Sequence, residues 1–434
     1  MADVTIALAV FGLVYVVITF ELANKAVVAL LGVMVLIILG VVDEHHAASL
    51  IDFETILLLL GMMTIVAVLR KSGVFSLLTV RIAEMTRGSP LKILILFSIV
   101  TAVLSAFLDN VTTVLIIIPI VVELSRGLGL DPKLFVISQA VISNIGGTAT
   151  LIGDPPNIII GSRVGLTFNQ FLLNLSIPVL VSFSVAIFLL LLTHRTRFKP
   201  INHDLGKLFS VELLLEKIRF EFLHTPIDPL LLKKSAWCLG GAILLFVTQT
   251  ITGISPGVAA VLAAMVLLVI ARVNVEEVLE EVEWSTLLFF AGLFILVGVL
   301  EDEGVIEWIA HNVFLGMGDN PYLMVLTVLW VSGIASGFLD NIPFTITMVP
   351  VVEMMLAESP IPHNILWWAL ALGACFGGNI TMVGASANIV AVGVAKQAGV
   401  EISFLDFMKT SILISVVSLA IASLYLTLFL WLSQ

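Results

Sequence analysis

The chain has 434 residues, of which 60% are hydrophobic and only 12% are charged, and its formal net charge is −11. A soluble domain typically contains about 25% charged residues, so this composition excludes an ordinary soluble enzyme, a disordered chain and a disulfide-bonded scaffold. The acidic balance and the lack of a Lys/Arg block argue against nucleic acid as a partner. Apolar stretches recur from end to end, each about long enough to cross a bilayer core of roughly 30 Å as a helix. The sequence therefore predicts an all-α polytopic membrane protein with the lipid bilayer as its surroundings.

Each half of the chain is predicted to contain three spans, an amphipathic connector, a re-entrant helical hairpin, a discontinuous helix and a last span. In the first half these elements lie near residues 4–20, 25–42, 53–69, 73–87, 90–126, 135–165 and 172–193. In the second half they lie near residues 235–252, 256–271, 284–300, 304–317, 321–356, 366–398 and 409–431. The first apolar stretch has no basic region and no cleavage site, so we expect a retained span rather than a signal peptide.

The two halves are related by an internal repeat with one constant offset. The segment that begins at Ser105, SAFLDNVTTVLIIIPIVV, recurs 231 residues later as SGFLDNIPFTITMVPVV. The segment that begins at Gly146, GGTATLIGDPPNI, recurs at the same offset as GGNITMVGASANI. Shared leucine content does not align Asp-Asn pairs, glycines and prolines together. We therefore expect two repeats, 1–194 and 235–434, with five membrane crossings in each and about ten in total.

An odd number of crossings makes the two repeats inverted, and the distribution of charge fits that orientation. With both termini outside, 19 of the 20 Lys and Arg residues fall on the inside, and only Arg163 falls outside. The segment after the third span is basic in the first repeat and acidic in the second, as the positive-inside rule predicts for inverted copies. We expect a multi-pass protein of the inner (plasma) membrane, in which the polar stretch 195–234 is a cytoplasmic linker on the membrane surface.

The discontinuous helices are interrupted at Gly146–Asn157 and Gly377–Asn388. Inverted repeats with interrupted segments at matching positions are typical of secondary transporters, which bind solutes near the bilayer midplane between the repeats. An unwound stretch survives at that depth only where protein or a wet cavity surrounds it, although a kink for helix packing is the alternative interpretation. The polar side chains expected to bind solute at the two breaks are Thr148, Thr150, Asn157, Asn379, Thr381, Ser386 and Asn388.

Asp109 and Asp340 lie at the two predicted hairpin tips, and each is followed by an asparagine. Ionisable residues inside membrane segments are costly and usually functional. Burial disfavours the charged form of a carboxyl group and a bound cation favours it, so these residues are expected to couple proton or ion movement to transport. Capping of the following helix is the alternative role, and the two roles are compatible.

Asp154 has no acidic counterpart, because position 385 in the second repeat is alanine. It is expected either to bind a proton or ion, or to stabilise the helix that begins behind it, where negative charge is favourable. No Lys or Arg occurs in either break or at either tip, and three aspartates would repel an anion. The site is therefore expected to suit a cation or a small neutral polyhydroxyl solute.

The motifs FLDNVTT, NIGGTATLIGDPPN, EWSTLLFF, DNIPFT and GGNITMVGASAN resemble the ion transporter superfamily, in particular the branch that contains arsenite permeases (the ArsB family), the P protein and NhaD-type sodium/proton antiporters. The likeness covers nearly the whole chain in order. It implies that hairpins and discontinuous helices form a transport domain that moves against a scaffold of the other spans. Dicarboxylate carriers of the superfamily place Ser-Asn-Thr at the tips, whereas this chain has Asp-Asn-Val and Asp-Asn-Ile, so a carboxylate solute is not expected.

The resemblance also implies two half-sites for the solute. The first half-site would contain Asn110, Thr112, Gly147, Thr148 and Asn157, and Thr150 is added to it as a polar side chain of the same break. The second would contain Asn341, Gly378, Asn379, Thr381 and Asn388. Proton or ion coupling is expected, from their positions in the sequence, of Asp109, Asp340 and Asp154.

The leading hypothesis is a carrier that expels arsenite and antimonite in exchange for protons, and a sodium/proton antiporter is the alternative. Arsenous acid is largely a neutral trihydroxide, which amide and hydroxyl groups can bind. An intramembrane enzyme is not expected, because all seven His residues lie in loops, connectors or span ends and FLDN lacks the GxGD context of aspartyl proteases. A channel would not explain interrupted segments in both halves. The two cysteines lack metal-ligand spacing, so no metal or cofactor is expected. The sequence does not decide whether a cytoplasmic ATPase partner binds or whether the chain forms a homodimer.

Overall fold

The computed structural model describes residues 2–20, 22–86, 89–194, 227–314, 320–358 and 364–433, and within these ranges its regular elements are helices. In chain order they are α1 (Ala2–Thr19), α2 (Lys25–Ile38), α3 (Glu44–Ser49), α4 (Phe53–Lys71), α5 (Val74–Thr86), α6 (Pro90–Phe107), α7 (Asn110–Gly127), α8 (Pro132–Gly147), α9 (Pro155–Val164), α10 (Phe168–Thr193), α11 (Pro229–Val247), α12 (Gln249–Thr252), α13 (Pro256–Ala271), α14 (Val275–Glu280), α15 (Trp284–Asp302), α16 (Val305–Ile309), α17 (Pro321–Phe338), α18 (Asn341–Glu358), α19 (Ile365–Gly377), α20 (Ser386–Gln397) and α21 (Phe404–Ser433). A π-helical turn, Ala310–Phe314, follows α16.

Within the described ranges, eight helices are long and apolar enough to cross a membrane, and five shorter apolar helices accompany them. The predicted class, an all-α polytopic membrane protein, is confirmed. The two predicted hairpins are present as α6–α7 and α17–α18. Each predicted discontinuous helix is present as two helices, α8–α9 and α19–α20, with a non-helical segment between them.

Most of the predicted linker, residues 195–226, lies outside the described residues. Its last part is helical, because α11 begins at Pro229 rather than near residue 235. Asp228 sets this start, since its carboxylate accepts hydrogen bonds from the backbone N–H groups of Leu230 and Leu231, both at 2.9 Å. The residue is therefore an N-cap, which satisfies two of the donors that a helix start leaves unpaired.

The 231-residue offset of the sequence repeat also relates the helices. α4 begins at Phe53 and α15 at Trp284, while α7 begins at Asn110 and α18 at Asn341. The same offset relates α3 and α14, two short helices that hydropathy did not predict. Each has six residues and begins at a capping Asp or Asn, and six residues are too few for a hydrophobic period to reveal a helix.

The helices pack into two bodies. The scaffold body consists of α1, α2, α4, α11, α13 and α15, in which α4 packs on α13 and α2 on α15. The hairpin body consists of both hairpins, both discontinuous helices and the last spans α10 and α21. In it α6 packs on α8 and α17 on α19, and the repeats interlock because α7 packs against α20 and α18 against α9. The polar site described below lies inside the hairpin body.

Close contact between α6 and α8 depends on a glycine. A Cβ atom at Gly146 would lie 2.5 Å from both the Cα and the carbonyl oxygen of Ala102, and backbone atoms cannot move aside at small cost. Gly377 has the same role in the second repeat, where its backbone contacts Gly333. Small residues permit helix backbones to approach this closely in membranes. The approach brings the broken end of each discontinuous helix next to a hairpin tip.

Ion pairs at the surface join helices from the two repeats. Lys71 Nζ lies 2.8 Å from Glu277 Oε2, and this hydrogen bond, with the charge of Lys71, holds the pKa of Glu277 below its ordinary value. Arg163 Nη2 lies 3.0 Å from Glu301 Oε1. Each pair joins two helical residues that the predicted topology places on one face of the membrane.

Candidate solute and ion site between the repeats

Four helices begin around one buried polar centre. α7 and α18 begin at the hairpin tips with Asn110 and Asn341, and α9 and α20 begin where the discontinuous helices resume. The first turn of each helix carries unpaired N–H groups and a partial positive charge. Their convergence favours negative charge at the centre, which would otherwise be costly in an apolar surrounding.

Seven buried side chains form an amide–carboxylate cluster at this centre, and each of these residues is at most 2% exposed. The members are Asn110, Asn144, Asp154, Asn157, Asn341, Asn379 and Asn388. An amide group both donates and accepts hydrogen bonds, so the cluster connects the two repeats. Asn144 Nδ2, from the first repeat, donates to Asn379 Oδ1 at 2.7 Å and to Asn388 Oδ1 at 3.0 Å.

Asp154 is the acceptor on which both hairpin tips converge. Asn110 Nδ2 donates to Asp154 Oδ1 at 3.1 Å, and Asn341 Nδ2 donates to the same oxygen at 3.4 Å. Asp154 occupies the N-cap position of α9, but its side chain makes no capping hydrogen bond. Its carboxylate therefore faces the cluster rather than the end of its own helix.

Two oxygen atoms of the cluster, Asp154 Oδ2 and Asn110 Oδ1, are buried and accept no hydrogen bond from the described residues. The Cys375 thiol lies close to Asp154, but a thiol is only a weak donor. Buried oxygens without a partner are rare, because each costs about 1–3 kcal/mol of desolvation. A proton on Asp154 Oδ2, or a small cation bound to it, would remove the cost of leaving that oxygen unpaired.

Asn157 and Asn388 stabilise the two breaks. Asn157 Nδ2 donates to the carbonyl oxygens of Thr148 and Thr150 at 3.0 and 2.8 Å. Asn388 donates in the same way to two carbonyl oxygens of its own break, at 2.9 and 3.1 Å. Interruption of a helix leaves such carbonyl groups unpaired, and buried backbone groups must find a partner. The asparagines supply that partner, so the non-helical segments are stable at this depth.

The threonine hydroxyls predicted to bind solute are hydrogen-bonded within the fold. Thr150 Oγ1 donates to the carbonyl oxygen of Ala106, and Thr381 Oγ1 donates to that of Gly337 at 2.6 Å. Thr148 Oγ1 donates to a carbonyl oxygen of its own helix at 2.7 Å. These hydroxyls attach each break to its neighbours, and the polar groups that face the centre are amides.

Gly147 and Gly378 provide space at the breaks. A Cβ atom at Gly378 would lie 2.8 Å from the carbonyl oxygen of Gly384, and one at Gly147 would overlap the carbonyl group of Gly153. The two ends of each break therefore meet at these glycines, which keeps the segments compact.

Asp109 caps α7. Its carboxylate accepts hydrogen bonds from the backbone N–H of Thr112 at 2.8 Å and from the Thr112 hydroxyl group. Among the residues that the structure describes, its hydrogen bonds stay within the first turn of this helix. Of the two roles expected for Asp109, the geometry shows the capping one, and Thr112 serves that cap.

Asp340 has a different environment, which the sequence did not predict. Ser386 Oγ donates to Asp340 Oδ2 at 2.8 Å. Lys25 Nζ donates to Ser386 Oγ at 3.0 Å and lies 4.0 Å from Asp340 Oδ2. No Lys or Arg occurs within the tips and breaks themselves, but Lys25 reaches the second tip from α2, which is distant in sequence.

A cavity of about 300 Å³ opens beside Asp340. Lys25, Ser386 and Tyr15 line its polar side, while aliphatic side chains such as Ile389 form the rest of its wall. The amide–carboxylate cluster is closed, whereas the second tip is accessible in this conformation.

Sequence reasoning missed two residues of the site, Asn144 and Cys375. They are related by the 231-residue offset, and each reaches the other repeat; Cys375 Sγ lies 3.8 Å from Asn157 Oδ1. Asn144 belongs to the NIGG motif before the first break, and a polar residue in an apolar span was a usable signal. The described part of the chain holds no group of three or more His, Cys, Asp or Glu side chains suited to a metal ion.

Comparison with known proteins identifies relatives along nearly the whole chain. The family model described as a citrate transporter (CitMHS) matches residues 15–373. The chain is 41% identical over 430 residues to an uncharacterized transporter of Mycobacterium tuberculosis, with 98% of each chain covered. It is 35% identical over 501 residues to the P protein of Homo sapiens, and this match covers 98% of the chain but 60% of the P protein.

Among solved structures, the YdaH transporter of Alcanivorax borkumensis matches with a TM-score of 0.49 and 14% sequence identity, over 87% of this chain and 85% of that one. The family match and the P protein match confirm the resemblance that the motifs indicated. The chain is a multi-pass membrane transporter that belongs to the citrate transporter family, within the ion transporter superfamily.

Proposed function

We propose that this chain is a secondary active transporter in which Asp154 takes up and releases a coupling cation, either a proton or Na⁺. The observation that carries this proposal is the position of Asp154. Its carboxylate accepts hydrogen bonds from Asn110 of one repeat and Asn341 of the other, and its second oxygen is unpaired.

Such an arrangement links the charge of one group to the geometry of both repeats. Either hairpin must move relative to Asp154 if the site is to open, and the hydrogen bonds of the tips then change. A carboxylate that loses hydrogen bonds or water favours protonation or a bound cation. Cation binding and the transport movement are therefore coupled through the same free energy.

For the solute, we retain arsenite and antimonite efflux against proton entry as the first candidate. Neutral trihydroxides need both donors and acceptors, and amide groups provide both. Within the cluster, the amides of Asn110, Asn341 and Asn379 are the groups best placed to serve both half-sites.

Sodium/proton antiport is the second candidate, and the unpaired oxygens favour it. Asp154 Oδ2 and Asn110 Oδ1 are both oxygen ligands of the kind that hard cations prefer. In this case Na⁺ and the proton would compete for Asp154.

A carboxylate solute is the third candidate, because the matching family is described as a citrate transporter. The sequence argued against an anion because no Lys or Arg occurs within the breaks or tips and three aspartates would repel an anion. Lys25 removes part of that objection, and four helix N-termini favour negative charge at the centre.

Solute uptake into everted membrane vesicles under an imposed pH gradient, acid inside, tests these candidates together. The panel is arsenite, antimonite, Na⁺ and citrate, with vesicles lacking the protein as the control. We expect gradient-driven uptake of one of them. Uptake that proceeds down the solute gradient alone, with no response to protons or Na⁺, would contradict the proposed coupling.

A further inference from the structure

Lys25 is placed where helix stability does not explain it. It is the first residue of α2, where the helix dipole favours acidic rather than basic side chains. Its ammonium group lies over the ring of Phe289, 4.9 Å from the ring centre, and donates to Ser386 at 3.0 Å. Its counterpart in the second repeat, 231 residues later, is Pro256, so the repeat does not duplicate this lysine.

The contact between Lys25 and Asp340 crosses from one body to the other. Lys25 and Phe289 belong to α2 and α15 of the scaffold body, whereas Asp340 and Ser386 belong to the second hairpin tip and α20 of the hairpin body. A movement of one body against the other separates the ammonium group from the carboxylate. The contact therefore exists in only part of a transport cycle.

The Asp340 carboxylate is also within reach of ions from outside the protein. Its side chain and that of Lys25 are 11% and 30% exposed, and both line the cavity of about 300 Å³. The distance of 4.0 Å between Lys25 Nζ and Asp340 Oδ2 is too long for a direct hydrogen bond. Ser386 bridges the two groups, so a small cation can approach Asp340 without breaking a direct pair.

We propose that Lys25 is a tethered counter-ion for Asp340, which holds the place of a transported or coupling monovalent cation when the second tip is empty. The ammonium group neutralises the carboxylate in the conformation seen here, and a cation that enters the cavity displaces it. Displacement releases the scaffold body from the hairpin body. Lys25 is thus a positioning residue that makes the movement depend on cation binding; this inference rests on the proposed cation coupling.

The test uses the purified full chain in detergent and follows its unfolding temperature as Na⁺ replaces K⁺ at constant ionic strength. A cation that binds only the folded protein raises this temperature with its concentration. In Lys25→Gln we expect the Na⁺ concentration for half of the effect to fall about tenfold, since a positive charge 4.0 Å from the carboxylate no longer competes. Lys25→Arg, which keeps the charge, should resemble the wild type.

Lys71→Gln is the matched control, because Lys71 also pairs with a carboxylate, Glu277, but on the surface away from the tips. It should leave the Na⁺ response unchanged. In the double variant Lys25→Gln/Asp340→Asn the roughly tenfold lowering of the Na⁺ concentration for half of the effect should disappear. An unchanged or weakened Na⁺ response in Lys25→Gln, or no Na⁺ response in any variant, would overturn the role of Lys25. The coupling role of Asp154 is tested separately, by proton-driven flux in Asp154→Asn.

Discussion

At the scale of single residues, the three aspartates expected to couple ion movement to transport lie in different surroundings. Asp109 and Asp340 stand at equivalent positions, so the sequence favoured them as a coupling pair. Both accept a hydrogen bond from a backbone N–H at the start of the following helix, but Asp340 also faces Lys25. Asp154 has no symmetric partner and lies where both repeats meet.

The capping geometry leads us to expect that Asp109→Asn keeps a normal response to a pH gradient. Asparagine caps a helix nearly as well as aspartate, so the first turn of α7 should be retained. Solute flux with and without the gradient measures this. Loss of the gradient response in a protein that folds normally would show that Asp109 does more than cap.

The two tip asparagines should differ in their effect on stability. Asn110 Nδ2 donates to both Asn144 and Asp154, whereas Asn341 Nδ2 donates to Asp154 alone and at a longer distance. Asn110→Ala should lower the free energy of unfolding by about 1–3 kcal/mol, since it leaves buried acceptors unpaired, and Asn341→Ala should lower it less.

Both tip variants should transport poorly per folded molecule in proteoliposomes. Asn169→Ala, which removes an amide bonded to a carbonyl oxygen far from the cluster, is the control and should transport normally. Wild-type rates in both tip variants would exclude these residues from the site.

At the scale of helices, the sequence predicted most of the architecture. Hydropathy located the long spans, and the constant offset located the hairpins and the breaks. Sequence patterns could not reveal α3 and α14, because these helices are too short to show a hydrophobic period. They also could not reveal the Lys25 contact, because it depends on how α2 packs. The sequence also did not show that threonine hydroxyls would be used inside the breaks, since local hydrogen bonds leave no periodic signal.

Helix contact at the breaks should make Gly146→Ala strongly destabilising. The added Cβ would overlap the backbone of Ala102, and overpacking of this kind costs about 1–3 kcal/mol or more. Gly393→Ala in α20 is the control, because a Cβ there meets no atom within 4 Å and alanine favours a helix by about 1 kcal/mol over glycine. Unfolding temperatures in detergent compare the two, and equal values would contradict the proposed close packing.

The orientation of the repeats is tested by labelling of single cysteines. His45 in α3 and Glu276 in α14 are exposed and related by the repeat offset, and inverted repeats place them on opposite faces. A membrane-impermeant thiol reagent should label His45→Cys in intact cells and Glu276→Cys only after permeabilisation. Labelling of both from the outside would exclude inverted repeats.

At the scale of the whole molecule, the buried cluster belongs to the hairpin body alone, because all seven of its residues come from the hairpins and the discontinuous helices. If the hairpin body moves as a unit against the scaffold body, a solute bound at the cluster would move with it. Asp154 is the one carboxylate of the cluster, so under our proposal its protonation or cation binding would set the charge of the cluster.

The most direct test of this coupling is solute flux into everted vesicles containing Asp154→Asn, measured with and without a pH gradient. Asparagine keeps the size of the side chain and a hydrogen-bonding oxygen, and the unfolding temperature shows whether the variant folds. Asp131→Asn, which changes a carboxylate that caps α8 at the surface, is the control. We expect Asp131→Asn to respond to the gradient like the wild type, and Asp154→Asn to lose that response while it stays folded. A gradient response that persists in folded Asp154→Asn would contradict the assignment of the coupling cation to this residue.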